Sequence, residues 1–575
     1  MTASGFWQIA LVLGIAFGLS IPFGAYLARV FRGERTWLDP ILNPVDAFLC
    51  RIVGRRTTAL PMDWKGYAVS MLVTNAMMGL LVYLILSIQG VLPWNPLRFS
   101  GLNPFLAFNT AASFITNTDW QNYAGESALS LFSQMAAITF PMFAAAATGL
   151  VAAIAFFRAL AAPADGGRNL GNFYHDFIRA LTRVLLPLCL VVTPVLVWQG
   201  SPETLTGVAV AHLMQGGVQH IPLGPVADLE VIKQLGTNGG GFFAANSAHP
   251  FENPTPLTNV VEILLMMVTS LSLVVTFGIF VGQRRLAWVM YAVMGVLLVG
   301  GIAVTVCAEQ AGTPALAASG IMLQAGHGQM GGNMVGKETR FGVTGSALFD
   351  TVSTAFTTGS VNSALDSYTP LGGMVSLGQM MLNCVFGGKG VGTLNFLMYG
   401  IFAVFIAGLM VGRTPEFLGK KLERREIVLA ALALLIHPLI ILLPAAWALA
   451  SPYGVSALGN AASHGLSEIL YAFTSAAANN GSAFAGLQAN TPWYNSVLGL
   501  VMLIGRYVSI ILMLALGGSL AAKPSVSATA GTLRTDTALF GGFWLATIIV
   551  VGALTFLPAL VLGPLAEIFM MHPHG

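Results

Sequence analysis

Ten apolar stretches recur along the chain, each about as long as the 20 residues that a helix needs to cross a bilayer core of about 30 Å. They lie near 6–28, 67–92, 129–157, 180–199, 258–282, 286–308, 372–411, 427–450, 493–521 and 537–562. Only 9% of the 575 residues are charged, against roughly a quarter in soluble domains, so the chain is a polytopic membrane protein surrounded by lipid. A formal charge of +3 leaves no basic footprint for nucleic acid. The four cysteines, Cys50, Cys189, Cys307 and Cys384, are scattered and form neither a disulfide framework nor a metal-binding pattern. No basic residue precedes the first stretch, and it is too long for a signal peptide core, so it reads as a retained helix.

The basic residues orient these helices. Arg29, Arg32, Arg35, Arg51, Arg55, Arg56 and Lys65 follow the first stretch, and Arg158, Arg168, Arg179 and Arg183 the third. Arg284 and Arg285 follow the fifth, Arg413, Lys420, Lys421, Arg424 and Arg425 the seventh, and Lys523 and Arg534 the ninth. Twenty of the 26 Lys and Arg residues thus sit on alternate connections, which the positive-inside rule places in the cytoplasm, with both termini outside. Arg98, Lys233, Lys337 and Arg340 are expected in outside connections. Lys389 and Arg506 fall inside apolar stretches, where a charge is costly unless it faces water or a partner. Both are functional candidates, with an interhelical ion pair or snorkelling as the alternative.

Four outside connections carry related polar cores: Thr116-Asn117-Thr118-Asp119, Thr237-Asn238-Gly239-Gly240, Thr357-Thr358-Gly359-Ser360 and Asn479-Asn480-Gly481-Ser482. Their centres, Thr118, Asn238, Thr358 and Asn480, are 120, 120 and 122 residues apart, which marks an internal repeat. Each core follows a short stretch such as 105–115 or 467–477 and lies between two spans, giving the unit helix, re-entrant half-helix with polar loop, helix. Irregular backbone at membrane depth must be buried in protein or line a water-filled path. Gly allows carbonyls to turn inward, and Asn and Thr add neutral oxygens. Four such loops in a ring suit a potassium ion that exchanges its hydration shell for carbonyls. Asp119, Glu126, Asp228, Glu230 and Asp366 are placed to concentrate cations at the mouth, or else serve as caps and surface charges.

At these residues the chain resembles the potassium-binding, channel-like subunits (KdpA) of the Kdp potassium-transporting ATPases, in the superfamily of potassium transporters. The resemblance is carried by FNTAASFITNTDWQNY (108–123), QLGTNGGGFFAANSAHPFENPT (234–255), AFTTGSVNSALDSYTPLGG (355–373), VFIAGLMVGRTPEFLGKKLERRE (404–426) and FTSAAANNGSAFAGL (473–487). It implies an all-α fold of ten transmembrane helices, with four M1-P-M2 pseudo-repeats around a central pore and one extra helix at each end. The expected segments are 1–66, repeats at 67–170, 171–285, 286–426 and 427–525, and 526–575. The implied potassium filter comprises Asn117, Thr118, Asp119, Thr237, Asn238, Gly239, Thr357, Thr358, Gly359, Asn479, Asn480 and Gly481. Asp119 is expected to hold its loop by accepting hydrogen bonds while its backbone carbonyl meets the ion. The resemblance further implies the bacterial cytoplasmic membrane, potassium as the transported ion and no hydrolysis by this chain. Its implied partners are a catalytic P-type ATPase subunit (KdpB-like), a single-span subunit (KdpC-like) and, in some members, a very small fourth (KdpF-like).

The seventh stretch, about 40 residues, is too long for one straight crossing and must break. Gly387, Gly388, Gly390 and Gly392 weaken its middle, where the resemblance places an intramembrane loop below the filter. This would make the glycines a gate hinge and Lys389, helped by Arg506, a tethered cation competing with potassium at the exit.

The nearest rival is a stand-alone potassium channel or ion symporter of the same superfamily. An intramembrane enzyme would have to rest on His249, Glu262 and His437, whose spacing gives no catalytic or metal signature. The sequence contains no DKTGT phosphorylation motif. The run from Gly331 to Glu338 imitates a phosphate loop but has Glu338 where a magnesium-binding hydroxyl belongs, and Gly387-Gly388-Lys389-Gly390 lacks the upstream glycine. The pairs Gly517-Gly518 and Gly541-Gly542 read as helix-packing surfaces.

Overall fold

The computed structural model describes residues 3–162, 169–321, 323–324, 326, 331–412, 414–525 and 533–571. Arg168 and Arg413, counted above among the inside charges, lie outside the described residues. Among the described residues ten helices are long and apolar enough to cross a membrane: Ala3–Arg32, Trp64–Val91, Leu131–Leu160, Phe173–Gln199, Pro256–Phe280, Arg284–Ala318, Val391–Val411, Arg424–Ala450, Pro492–Ala521 and Ala538–Met571. Four shorter helices, Pro104–Ile115, Val226–Leu235, Gly342–Ala355 and Ala462–Ala478, precede the four polar cores. Strand structure among the described residues is confined to two small hairpins, of which the larger pairs Val208–His212 with Val218–Pro222.

The repeat is written into local chemistry. The helix after each polar core starts on a hydroxyl cap: Ser130, Thr255, Thr369 and Thr491 accept from the backbone N–H of Ser133, Thr258, Gly372 and Tyr494 at 3.1–3.2 Å. In the last three the cap is followed by proline at the first helical position, where its missing N–H costs nothing.

Small residues set which helices lie at the centre. In the third span, 89% of the most apolar window is buried, against 22% in the first, eighth and tenth. The central span carries Ala144, Ala145, Ala146, Ala147, Thr148 and Gly149, all buried, which lets neighbouring backbones approach closely. The first span packs on the fifth in the same way: Thr276 donates to the Gly24 carbonyl at 3.0 Å and Ser272 to that of Ser20 at 3.1 Å.

The seventh apolar stretch is broken. A helix over Pro370–Leu382 ends at Asn383, whose φ is 45°, and a new helix begins at Val391. Between them Phe386, Gly388 and Gly390 also take positive φ. The loop is fixed by the Gly388 N–H donating to the Phe356 carbonyl and the Gly392 N–H to that of Gly387, both at 2.7 Å. Gly392 therefore lies in the first turn of the second helix, outside the loop proper.

Candidate ion-binding site

All four half-helices terminate alike. Asn117, Thr237, Thr357 and Asn479 sit in the left-handed region, with φ of 62°, 47°, 48° and 55°. The next residue's N–H reaches back to the carbonyl five residues earlier: Thr118 to Ser113, Asn238 to Lys233, Thr358 to Ser353 and Asn480 to Ser475, at 2.7–3.0 Å. This is a Schellman-type stop. Asn tolerates the conformation, but a β-branched Thr does so at a cost, which marks Thr237 and Thr357 as strained positions held by their surroundings.

The four stops bring the four loops together. A Cβ built on Gly239 would lie 3.0 Å from the Asn480 carbonyl oxygen, 3.0 Å from that of Thr118 and 3.2 Å from that of Thr358, so all three other loops turn a carbonyl toward this glycine. A Cβ on Gly359 would overlap the Asn480 carbonyl, and one on Gly481 that of Thr118. Side chains tie the loops sideways. Asn117 donates to the Thr237 carbonyl at 2.6 Å, Asn238 to Asp119 Oδ2 at 2.6 Å, and Asn479 to Thr118 Oγ1 at 2.9 Å. Asn480 donates to the Ser353 carbonyl at 3.1 Å. Asp119 Oδ1, Asn238 Oδ1 and Thr358 Oγ1 are buried without a hydrogen-bond partner.

The intramembrane loop lies directly beneath. A Cβ on Gly387 would meet the Ala355 carbonyl at 3.3 Å, and one on Gly388 the Thr357 hydroxyl at 2.9 Å. Lys389 is fully buried and its Nζ has no hydrogen-bond partner. Arg506, 3% exposed, donates to the Ala145 carbonyl at 3.0 Å. Gly149 brings the two near each other: its Cβ would lie 2.5 Å from the Lys389 carbonyl oxygen and 2.7 Å from Arg506 Nη2. Among the described residues neither cation forms a salt bridge, so the ion-pair alternative has no partner here.

Several charges expected in outside connections are placed differently from the sequence expectation. Lys233 is fully buried in the second half-helix, bonded to Glu230 Oε2 at 2.5 Å and Glu252 Oε2 at 2.6 Å. Glu230 therefore lies behind the second loop and does not line the mouth. Lys233 Nζ also donates to Asn246 Oδ1 at 2.8 Å, and the Asn246 side-chain amide donates to the Gly240 carbonyl. Gln234 links the cluster to Glu262 of the fifth span at 3.0 Å and to Ser360 of the third loop at 2.7 Å. Its one visible sequence signal was Glu230 and Lys233 three residues apart on a half-helix too short to have a solvated face. Lys337 is bonded to Glu309 at 2.8 Å and stacks on Tyr368, which removes it from any phosphate loop.

The remaining acids are caps and ties. Asp228 accepts from its neighbour's N–H at the start of the second half-helix, and Glu126 accepts from the Ala244 N–H. Asp366 accepts from His464, whose other ring nitrogen faces Glu567 at 3.0 Å. Hydrogen bonds donated by His464 to Asp366 and Glu567 raise the His464 pKa to about 10. Of the residues an enzyme would need, His249 stacks on Phe243, His437 bonds the Met380 carbonyl and Glu262 belongs to the Lys233 cluster.

A family model described as potassium-transporting ATPase A subunit matches residues 10–569. The chain belongs to this family, KdpA. It is 53% identical over 568 residues to the potassium-transporting ATPase potassium-binding subunit of Alicyclobacillus acidocaldarius, covering 99% of each chain. It is 51% identical over 571 residues to the subunit of the same name from Delftia acidovorans, covering 98% of each. Among solved structures, the potassium transporter TrkH of Vibrio parahaemolyticus shares the fold, with a TM-score of 0.51 and 14% identity, over 88% of this chain and 98% of that one.

Proposed function

We propose that this KdpA-family chain selects potassium at the four converging loops and passes it to a partner P-type ATPase subunit, which supplies the ATP hydrolysis. The observation that carries the reading is the approach of the Thr118, Thr358 and Asn480 carbonyls to Gly239. A ring of neutral oxygens with one Cβ-free wall can replace the hydration shell of a monovalent cation without a fixed counter-charge binding it too tightly. The names of the relatives supply the ion and the pump.

A lateral exit supports delivery over straight conduction. A cavity of about 220 Å³ is lined by Asn479, Asn383, Asn395 and Ser509 together with Leu435 and Leu554. Those two leucines are 60% and 80% exposed on the outer surface of the bundle. The vertical route is closed off by the loop carrying Lys389, whose unpaired ammonium is the tethered cation, with Gly387, Gly388 and Gly390 as hinge and Arg506 beside it. The chain sits in the bacterial cytoplasmic membrane with the four loops and both termini outside. Its partners are KdpB-like, KdpC-like and KdpF-like subunits.

The test is potassium-stimulated ATP hydrolysis by the chain copurified with its ATPase partner, beside potassium flux through the chain alone in liposomes. Stimulation by the complex and no flux through the single chain is the expected result. Selective flux through the chain alone, with no copurifying ATPase, would move the function to an autonomous channel or symporter.

A further inference from the structure

On the face opposite the four loops, two adjoining cavities differ sharply in chemistry. The first is lined by Arg32, Arg284, Arg285 and Arg534. Glu416 and Asp536 also face it, leaving an excess of positive charge. The second, about 240 Å³, is an apolar groove between the first, fifth and sixth spans, lined by Ile21, Ala25, Val275, Trp288 and Tyr291. Gly278, Ile279 and Arg284 border both cavities, so the groove continues into the arginine pocket.

Depth fits an amphipathic guest. Arg284 begins its helix, and Trp288 and Tyr291 follow one and two turns on, so Tyr291 lies about 10 Å below it at 1.5 Å per residue. Ile21 precedes Arg32 by eleven residues on the first span, about 16 Å by the same measure, close to the depth of one leaflet's hydrocarbon. Trp288 is 54% exposed at the groove's rim, the level at which indole rings sit in a membrane interface. Arg284 and Arg285 form no salt bridge among the described residues. Arg32 is turned inward by its bond to the Ile279 carbonyl at 2.6 Å and by the Phe280 ring 5.2 Å away.

We propose that these cavities form one binding site for an anionic glycerophospholipid, with the phosphate headgroup among Arg32, Arg284, Arg285 and Arg534 and an acyl chain along Ile21, Ala25 and Trp288. A basic pocket between helix ends at the arginine-rich face suits such a headgroup, and the apolar groove excludes a free phosphate as the complete ligand.

The test uses the full chain in its complex, in vesicles doped with phosphatidylglycerol or phosphatidylcholine brominated on the acyl chain. The signal is the Trp288 fluorescence, taken as the difference from Trp288→Phe. Brominated phosphatidylglycerol is expected to quench it at about fivefold lower mole fraction than brominated phosphatidylcholine, and Arg284→Gln/Arg285→Gln to abolish that preference. Ala25→Leu, which fills the groove and leaves the arginines, is expected to lower phosphatidylglycerol retention several-fold in native mass spectrometry. Equal quenching by both lipids, or retention unchanged by Ala25→Leu, overturns the site. Abolition of the preference by millimolar inorganic phosphate assigns the arginines to a free anion and overturns it as well.

Discussion

The side-chain amide of Asn238 donates to Asp119 Oδ2 at 2.6 Å, joining the second polar loop to the first. The other carboxylate oxygen is buried without a partner, so among the described residues the Asn238 amide is the side-chain donor that restrains Asp119. Asn238→Ala leaves a buried carboxylate with no side-chain donor, a loss of about 1–3 kcal/mol. The expected result is roughly 5- to 150-fold weaker apparent potassium affinity in the ATPase assay of the complex. Asp119→Ala added to Asn238→Ala should cost less than the sum of the two single changes, because they share one interaction.

Lys233 neutralises part of a cluster of three buried glutamates behind the second loop. Lys233→Met leaves those carboxylates uncompensated, which costs about 3–5 kcal/mol. Thermal unfolding in detergent is expected to fall, and Glu252→Gln in the same chain to restore part of the loss. A Lys233→Met chain as stable as wild type would show that the cluster carries no net charge to compensate.

If Lys389 is the tethered cation below the filter, its removal opens the path. Lys389→Ala is expected to raise potassium leak through the complex in liposomes in the absence of ATP, with ATP-driven uptake less tightly coupled. Unchanged leak and unchanged transport would remove the gating role.

Much of this architecture was legible in the chain, because lipid imposes length and hydrophobicity on every span and the polar cores repeat at nearly fixed spacing. All ten apolar stretches correspond to spanning helices, and the glycines at 387–390 mark the broken one. What the sequence hid was depth. Lys233, Glu230 and Lys337 were assigned to outside connections because charge in a polar segment reads as solvated, whereas the second half-helix carries Glu230 and Lys233, and the loop before the third half-helix carries Lys337, into the protein, where ion pairs hold them. The cavity lined by both Asn479 and Leu554 was invisible for another reason: it is formed where five separate segments converge, 381–402, 433–438, 479, 505–509 and 551–556, and that convergence leaves no local signal.

His464 links the fourth half-helix to Asp366 of the third repeat and to Glu567 near the end of the chain. Its pKa in the fold is about 10, against about 6.5 in an unfolded chain. A raised pKa means that the protonated form is the one the fold stabilises. The contribution is therefore full below pH of about 6.5 and is lost as pH rises through about 10. Thermal stability of wild type is expected to decline across this window more steeply than that of His464→Gln. Parallel profiles would show that the three groups are not coupled.

Carbonyls from three loops meet at Gly239, and the cation selectivity of Gly239→Ala tests whether ion selection depends on that meeting. The added methyl would stand 3.0–3.2 Å from the Asn480, Thr118 and Thr358 oxygens, inside the space assigned to the ion. Overpacking of this kind costs about 1–3 kcal/mol. Stimulation of ATP hydrolysis in the complex should be titrated separately with potassium, rubidium and sodium. Potassium affinity is expected to weaken roughly 5- to 150-fold, with the preference over rubidium and sodium narrowed. Wild-type affinity and wild-type discrimination in Gly239→Ala would contradict it and place ion selection elsewhere in the chain.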